Sequence, residues 1–284
     1  MKICCVIVTY NIGKQILNTY NAVKNQVNQV IFVDNDSNNE TKEIIEEICA
    51  THENCEVIFN DKNEGIAKAL NIGINESINK FNADFILTLD HDSVAAENMI
   101  SKMMQIYEVY EKKQNIAILC PAVYDINKKD YLTEVNNNEF QLIKEPIQSG
   151  SLIRKEVFKN VGLYNEELFI YYVDTDLCYR ALSKGYNMVQ CNKAVLYHEE
   201  GKKVAQKIGN KIIYYNQYSS AAVYYRARNH IYMLKNYFKP FTSKNRLIID
   251  FIKILIFDCN KLGKIKFHLK GIFDGIRLFI VRQK

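Results

Sequence analysis

Over its first 120 residues the chain alternates short apolar runs, rich in β-branched side chains, with longer stretches whose apolar positions recur at helical spacing. The runs 3–9, 30–34, 56–60, 84–90 and 116–120 predict strands, and the stretches near 14–26, 40–49, 64–79 and 97–113 predict helices. In the third helix Ile66, Leu70, Ile74 and Ile78 stand four residues apart, which gives it one apolar face. Strands and helices in this order make successive βα units, and hence an α/β fold with a mainly parallel, Rossmann-like central sheet flanked by helices.

The pattern breaks between Asn127 and Glu145, where polar sequence centres on Asn136-Asn137-Asn138, and a strand-like run resumes over Ile147 to Ile153. This reads as a surface excursion between two halves of one fold. Proline is confined to Pro121, Pro146 and Pro240, and the last marks the start of a tail. The expected organisation is a domain over 1–235, with halves 1–120 and 121–235, followed by a helical extension over 236–284. A chain of 284 residues accommodates one such domain with an appendage, and so one active site.

Composition narrows the class. With 48% hydrophobic and 24% charged residues the chain is neither disordered nor collagen-like. Its eight cysteines include no Cys-x-x-Cys pair and several lie in apolar runs, so they are expected to be reduced, buried and structural. The opening Lys2-Ile3-Cys4-Cys5-Val6-Ile7-Val8 reads as a strand and not as a secretion signal, which makes the cytoplasm the expected compartment.

The net charge of +5 is unevenly spread, with 12 Lys/Arg against 3 Asp/Glu from Lys235 to Lys284. Within this basic tail Ile265, Leu269, Ile272, Phe273, Ile276, Phe279 and Ile280 share a helical face, and Lys266, Lys270, Arg277 and Arg282 lie largely elsewhere. Such a helix can rest in a membrane interface, or it can pack on the body or on a second subunit. The run Leu247–Phe257 is 11 residues long, too short to span. Peripheral contact with the inner membrane face through residues 240–284 is therefore expected. No recognition motif for nucleic acid accompanies the basic residues.

Gly13 is the only glycine before Gly65, which excludes the glycine-rich phosphate loops of dinucleotide-binding folds and P-loops. Phosphate must be handled another way, and carboxylates holding a divalent cation are the natural candidate. Phe85-Ile86-Leu87-Thr88-Leu89-Asp90-His91-Asp92-Ser93 is an apolar strand ending in two acids. Ligands of parallel sheets bind beyond the carboxyl ends of strands, so Asp90 and Asp92 are delivered where a ligand would sit. The plainer alternative is a strand end in which Asp92 or Ser93 caps the next helix. Ile31-Phe32-Val33-Asp34-Asn35-Asp36-Ser37 is a second acidic strand end; it could meet a pyrimidine, or simply form a turn. In Leu168 to Leu182 an aromatic strand runs into a helix stopped by Gly185, with Asp174 at the helix N-terminus and Asp176 beyond it.

Taken in order, these segments resemble family 2 glycosyltransferases of GT-A fold, and most closely their rhamnosyltransferase-like branch. The resemblance covers roughly residues 3–232. It rests on Val8-Thr9-Tyr10-Asn11, Val33-Asp34-Asn35-Asp36-Ser37, Asn63-Glu64-Gly65 leading to Asn71-Ile72-Gly73, and Leu89-Asp90-His91-Asp92-Ser93. Further matches are Ser149-Gly150, Gly162-Leu163-Tyr164-Asn165-Glu166-Glu167-Leu168-Phe169, the Asp174 region, His198 and Arg228-Asn229.

The resemblance implies that Thr9, Tyr10, Asn11, Asp34, Asn35 and Asp36 hold the base and ribose of a nucleotide-sugar donor, with Asn63, Gly65 and His91 beside them. It implies that Asp90 supports the nucleotide, that Asp92 and His198 bind Mg²⁺ or Mn²⁺, and that Asp174 is the catalytic base. Ser149, Gly150, Asp176 and Arg228 fall on the acceptor side. The implied reaction is inverting transfer of a sugar, rhamnose from dTDP-rhamnose being favoured, to a glycan or lipid-linked glycan in cell-surface polysaccharide synthesis. The chain has no Trp and so lacks the Gln-x-x-Arg-Trp motif of chain-polymerising relatives, which implies a non-processive enzyme. Asn35 stands where many members have Asp, which leaves the pyrimidine open.

Two rival readings use the same residues. Asp90-His91-Asp92-Ser93-Val94 has the form of the nucleophile loop of haloacid dehalogenase-type phosphatases, although that loop normally follows the first strand. A non-catalytic nucleotide- or carbohydrate-binding protein is the other, against which the intact set Asp90, Asp92 and Asp174 weighs.

Overall fold

The apolar runs of the N-terminal half form β1 (Ile3–Thr9), β2 (Gln29–Asp34), β3 (Cys55–Phe59) and β4 (Phe85–Asp90), each starting and ending within a residue of the expected span. In this computed structural model the described residues are all but 111, 200–202, 209–210, 238–240, 242, 259 and 282–284, with backbone alone at 203–208, 211–215 and 278–281. Between the strands lie α1 (Ile16–Val23), α2 (Asn39–Thr51) and α3 (Ile66–Asn79). The first helix begins later than its periodicity suggests, because Gly13, at φ +59°, opens a 3-10 turn over Gly13–Gln15. Asn38 caps α2 by accepting from the Thr41 N–H.

The chain continues through β5 (Val94–Ala95), α4 (Met99–Val109), β6 (Ile116–Asp125), β7 (Asp130–Tyr131), β8 (Phe140–Ile143), β9 (Ser151–Arg154), α5 (Lys155–Val161), α6 (Val173–Ser183) and β10 (Asn187–His198). The main path of the sheet runs β3-β2-β1-β4-β9-β6-β10-β5. β1 pairs in parallel with β2 and β4, matching Thr9 to Asp34 and Val8 to Asp90, so three carboxyl ends finish side by side. Both faces of these strands are buried, which is why they read as continuous apolar runs. Helix α3 lies close on the sheet: a Cβ on Gly73 would fall 2.4 Å from a Val6 methyl carbon.

The sheet is mainly parallel, as expected, with β9 inserted antiparallel between β4 and β6. Two other expectations need revision. The polar excursion 127–145 contributes β7 and β8, which pair with β6 and β10. The aromatic run before Asp174 is not a strand: a 3-10 turn over Glu166–Leu168 leads into Phe169, Tyr171 and Tyr172, all at positive φ. Of the described cysteines, Cys49 and Cys55 are only half-buried, whereas Cys4, Cys5, Cys120, Cys178 and Cys191 are buried; Cys259 lies outside the described residues.

Two compact units result, one of residues 1–169 and 173–199, the other of 170–172 and 200–284. The second holds the antiparallel pair β11 (Lys203–Ile208) and β12 (Lys211–Asn216), then α7 (Ser220–Tyr237), α8 (Arg246–Phe257) and α9 (Lys261–Val281). α9 approaches α7 through glycines: a Cβ on Gly271 would fall 2.4 Å from the Tyr224 carbonyl oxygen, and one on Gly275 2.7 Å from that of Arg228. This packing groups α7 with the C-terminal helices, so the units divide at 199/200, whereas the sequence suggests 235/236. Pro240 lies outside the described residues.

Candidate active site

The ends of β1 and β2 are tied together by their own polar side chains. Thr9 Oγ1 donates to Asp34 Oδ1 (2.9 Å), and the Ser37 N–H donates to Asp34 Oδ2 (2.9 Å). Asp34 is buried, so its charge is spent on ordering this turn. The Asn11 N–H donates to Ser37 Oγ, and Asn11 Oδ1 accepts from the Asn38 N–H, which holds Asn11 at a left-handed φ of 51°. Asn35 Oδ1 accepts from Asn60 Nδ2 and from the Glu64 N–H, while its Nδ2 donates to Asn63 Oδ1 (3.0 Å). The same Asn63 oxygen accepts from the Gly65 N–H (3.0 Å). Tyr10 and Asp36 are exposed beside this network.

The two acids at the end of β4 meet a histidine from more than a hundred residues further along the chain. Val94 and Ala95 form β5, which pairs antiparallel with Tyr197 and Leu196 of β10 and so draws His198 beside Asp92. His198 Nδ1 lies 3.9 Å from Asp92 Oδ1 and 2.9 Å from Ser93 Oγ. Ser93 Oγ accepts from Ser149 Oγ (2.8 Å), which in turn accepts from the Asp90 N–H (3.0 Å). Asp90, Asp92 and His198 each place a ligand atom within 4.8 Å of the others, the one such cluster among the described residues. Two carboxylates and an imidazole suit a divalent cation that keeps further positions for phosphate oxygens and water.

Asp174 stands in the first turn of α6, and Thr175 donates to its Oδ1 through N–H (2.8 Å) and Oγ1 (3.3 Å). Burial raises the Asp174 carboxyl, and these donors partly offset it. Burial likewise pushes Asp90 up to about 6, opposed by His198 and reinforced by the charges of Asp92 and Asp174. Asp174 is thus within electrostatic reach of the Asp90 cluster. His91 accepts at Nδ1 from the Tyr10 N–H (3.2 Å), and burial holds its pKa down.

Other expected residues have plainer surroundings. Asp176 is buried in an ion pair with Arg180 (2.8 Å), whose guanidinium also donates to the carbonyls of Val161, Gly162 and Leu163. Gly150 sits at φ +83° with Pro121 where a Cβ would go, and its N–H donates to the Thr88 carbonyl. Gly65, at φ +82°, packs so closely on Phe169 that a Cβ would fall 2.5 Å from its ring. Arg228 lies in the second unit, on α7, with its guanidinium 4.8 Å from the Tyr225 ring centroid.

Sequence reasoning misplaced one group and passed over another. Ser93 is not a helix cap: it is fully buried and links Ser149 to His198. Gln148 Nε2 is buried with no partner among the described residues, and the Gln148 backbone helps stabilise the Asp174 carboxylate. Nothing in the local pattern marks either, because their partners come from distant segments. Asn71 was legible only as part of a motif; its side chain holds Tyr164 and Glu166, bridging two of the quoted segments.

The profile of glycosyl transferase family 2 matches residues 4–171. The chain is 33% identical, over 97% of its length and 96% of the relative's, to the dTDP-rhamnosyl transferase RfbF of Shigella flexneri. Among solved structures, GalNAc-T7 with UDP, GalNAc and Mn²⁺ superposes with a TM-score of 0.63 at 16% identity, covering 95% of this chain and 54% of that one. The mannosyltransferase PcManGT from Pyrobaculum calidifontis, in complex with GDP-Man and Mn²⁺, gives a TM-score of 0.56 at 11% identity, covering 95% and 73%. This chain therefore spans about half the length of the GalNAc-T7 chain. At these identities the two structures bear on the fold, which is GT-A. The family match and the likeness to RfbF displace the phosphatase reading, whose loop normally follows the first strand and here follows β4. With more than half of its length matched by the profile, and with near-full-length similarity to RfbF, the chain belongs to glycosyltransferase family 2.

Proposed function

We propose that this protein is an inverting, metal-dependent, non-processive glycosyltransferase that moves rhamnose from dTDP-rhamnose to a glycan or lipid-linked glycan at the inner face of the membrane. The observation that carries the reading is the meeting of Asp90, Asp92 and His198 with Asp174 inside their field. The likeness to RfbF supports the donor. In this reading the turns around Thr9–Asn11, Asn35, Asp36, Asn63 and Gly65 receive the nucleotide, with Asp34 holding their shape.

Asp92 and His198 would hold Mg²⁺ or Mn²⁺, with Asp90 alongside. A cation bound there stabilises the negative charge that develops on the departing diphosphate. Asp174 takes the proton of the acceptor hydroxyl as that oxygen bonds to the anomeric carbon and the bond to the β-phosphate oxygen breaks. One base and one displacement invert the configuration. A carboxyl raised by burial is a better base than an ordinary one. The partnerless Gln148 amide beside it is suited to donate to a sugar hydroxyl. Ser149 and Gly150 fix that amide's loop to β4.

The test is a screen of nucleotide sugars with Mn²⁺ or Mg²⁺, reading release of nucleoside diphosphate and transfer to glycan acceptors. Release from dTDP-rhamnose above all other donors is expected. Preference for a UDP- or GDP-sugar would overturn the donor, and no release from any donor would leave only a binding role.

A further inference from the structure

We propose that the outward faces of α8 and α9 form a docking surface for a bilayer rich in anionic phospholipid. The proposal deepens the reading of a lipid-linked acceptor and rests on it for its purpose, but not for its physical basis.

The basis is an apolar surface left exposed among the described residues. On helix α8 Ile254 is buried, yet Ile248, Ile249, Ile252, Leu255 and Ile256 are exposed on the opposite side, Ile248 at 64%. An apolar helix face ordinarily rests against a core or in lipid. On α9 the closest approach to α7 is made at Gly271 and Gly275, on the side away from its most exposed apolar residues. Leu262, Leu269, Phe273 and Ile276 share its outer face and are exposed. Among the described residues no helix is long and apolar enough to cross a membrane, which leaves the interface as the place these faces can rest.

Charge selects the lipid. Every acid on the two helices or between them is engaged within this unit. Asp250 pairs with Arg226 (2.9 Å) and Arg246 (3.3 Å), Asp258 pairs with Lys264, and Asp274 accepts from the Tyr224 hydroxyl (2.8 Å). Lys253, Lys261, Lys266, Lys270 and Arg277 remain exposed beside the apolar ridges. Cations flanking an apolar face match an anionic headgroup layer over an acyl core, whereas the same face on a second copy would bring like charges together. Of the face expected from the sequence, Leu269, Phe273 and Ile276 lie in this surface and Ile265 and Ile272 are half-buried. The Phe279 and Ile280 side chains lie outside the described residues.

The test is flotation of the full-length protein with vesicles of phosphatidylcholine, alone or mixed with phosphatidylglycerol, with no acceptor present. Wild type should float with the phosphatidylglycerol vesicles and release them partly at high salt. The double variant Ile252→Glu/Phe273→Glu should bind about tenfold more weakly or worse, having lost two apolar anchors and gained two negative charges. Its melting temperature and its nucleoside diphosphate release should match wild type, and Ile252→Leu/Phe273→Leu should float normally. Wild type that stays unbound at low salt, or a Glu pair that floats as well as wild type, would overturn the proposal. A stable dimer that the Glu pair dissociates would overturn it in favour of a second copy. Transfer is read separately, so a failed acceptor assignment leaves the flotation result intact.

Discussion

At the scale of single residues the decisive group is Asp174. General-base catalysis contributes roughly 10²- to 10⁴-fold, so Asp174→Asn should lower turnover by about that range while donor binding, read by calorimetry, stays near wild type. Near-normal turnover would remove Asp174 from the chemistry. Gln148→Ala should raise the KM of acceptor or donor sugar while kcat falls less, because it removes a positioning donor and not the base. Ser149→Ala leaves the Asp90 N–H without its acceptor and should cost about 1–3 kcal/mol of stability in denaturant titration. Asp90 also sets a pH dependence. Its folded pKa of about 6 lies above the ordinary value of 3.8, so the folded state binds this proton more tightly than the unfolded chain. That contribution to stability is full below the ordinary value and is lost as pH rises through about 6. The metal-free protein should therefore gain in melting temperature between pH 7 and pH 5 relative to an Asp90→Asn variant. A cation held by the ionised carboxylates acts in the opposite sense, so Mn²⁺ should raise the melting temperature more at pH 7 than at pH 5.

Among elements, the short strand β5 matters out of proportion to its length, since its pairing with β10 is what brings His198 to Asp92 across more than a hundred residues. The residue pattern alone does not reveal that contact, because two residues carry no periodicity and His198 could equally have been a surface histidine; only the family resemblance pairs it with Asp92. The acids themselves were legible, because a largely apolar run ending in Asp-x-Asp is what a buried parallel strand delivering polar groups to a sheet's carboxyl end looks like. The strands and helices of the first half were legible for the same reason. The antiparallel insertion of β9 was not, since an apolar run carries no sign of strand direction. The segment before Asp174 misled because Phe169, Tyr171 and Tyr172 are good strand formers. Its bonds decide otherwise: the Phe169 carbonyl accepts from the Ile66 N–H, and the Ile170 and Tyr171 carbonyls accept from Asn229 Nδ2. Positive φ at three bulky residues just before Asp174 is strain that such contacts must maintain. Gly65→Ala should disturb it, since the new Cβ meets the Phe169 ring from a left-handed backbone; a loss of about 1–3 kcal/mol in stability and a matching drop in kcat/KM are expected. Unchanged melting and kinetics would show that the turn is not under this constraint.

At the scale of the whole molecule the chain separates its chemistry from its charge. Acids and hydroxyls gather at the carboxyl ends of the sheet in the first unit, and the basic, apolar helices occupy the second. The most direct measurement is a crystal structure with Mn²⁺ and dTDP, locating the metal by its anomalous scattering. The expected result is one peak bound by Asp92 and His198 and touching the diphosphate, with the Asp174 carboxylate facing the open side where a sugar would sit. A metal bound elsewhere, or an Asp174 turned away from the diphosphate, would contradict it.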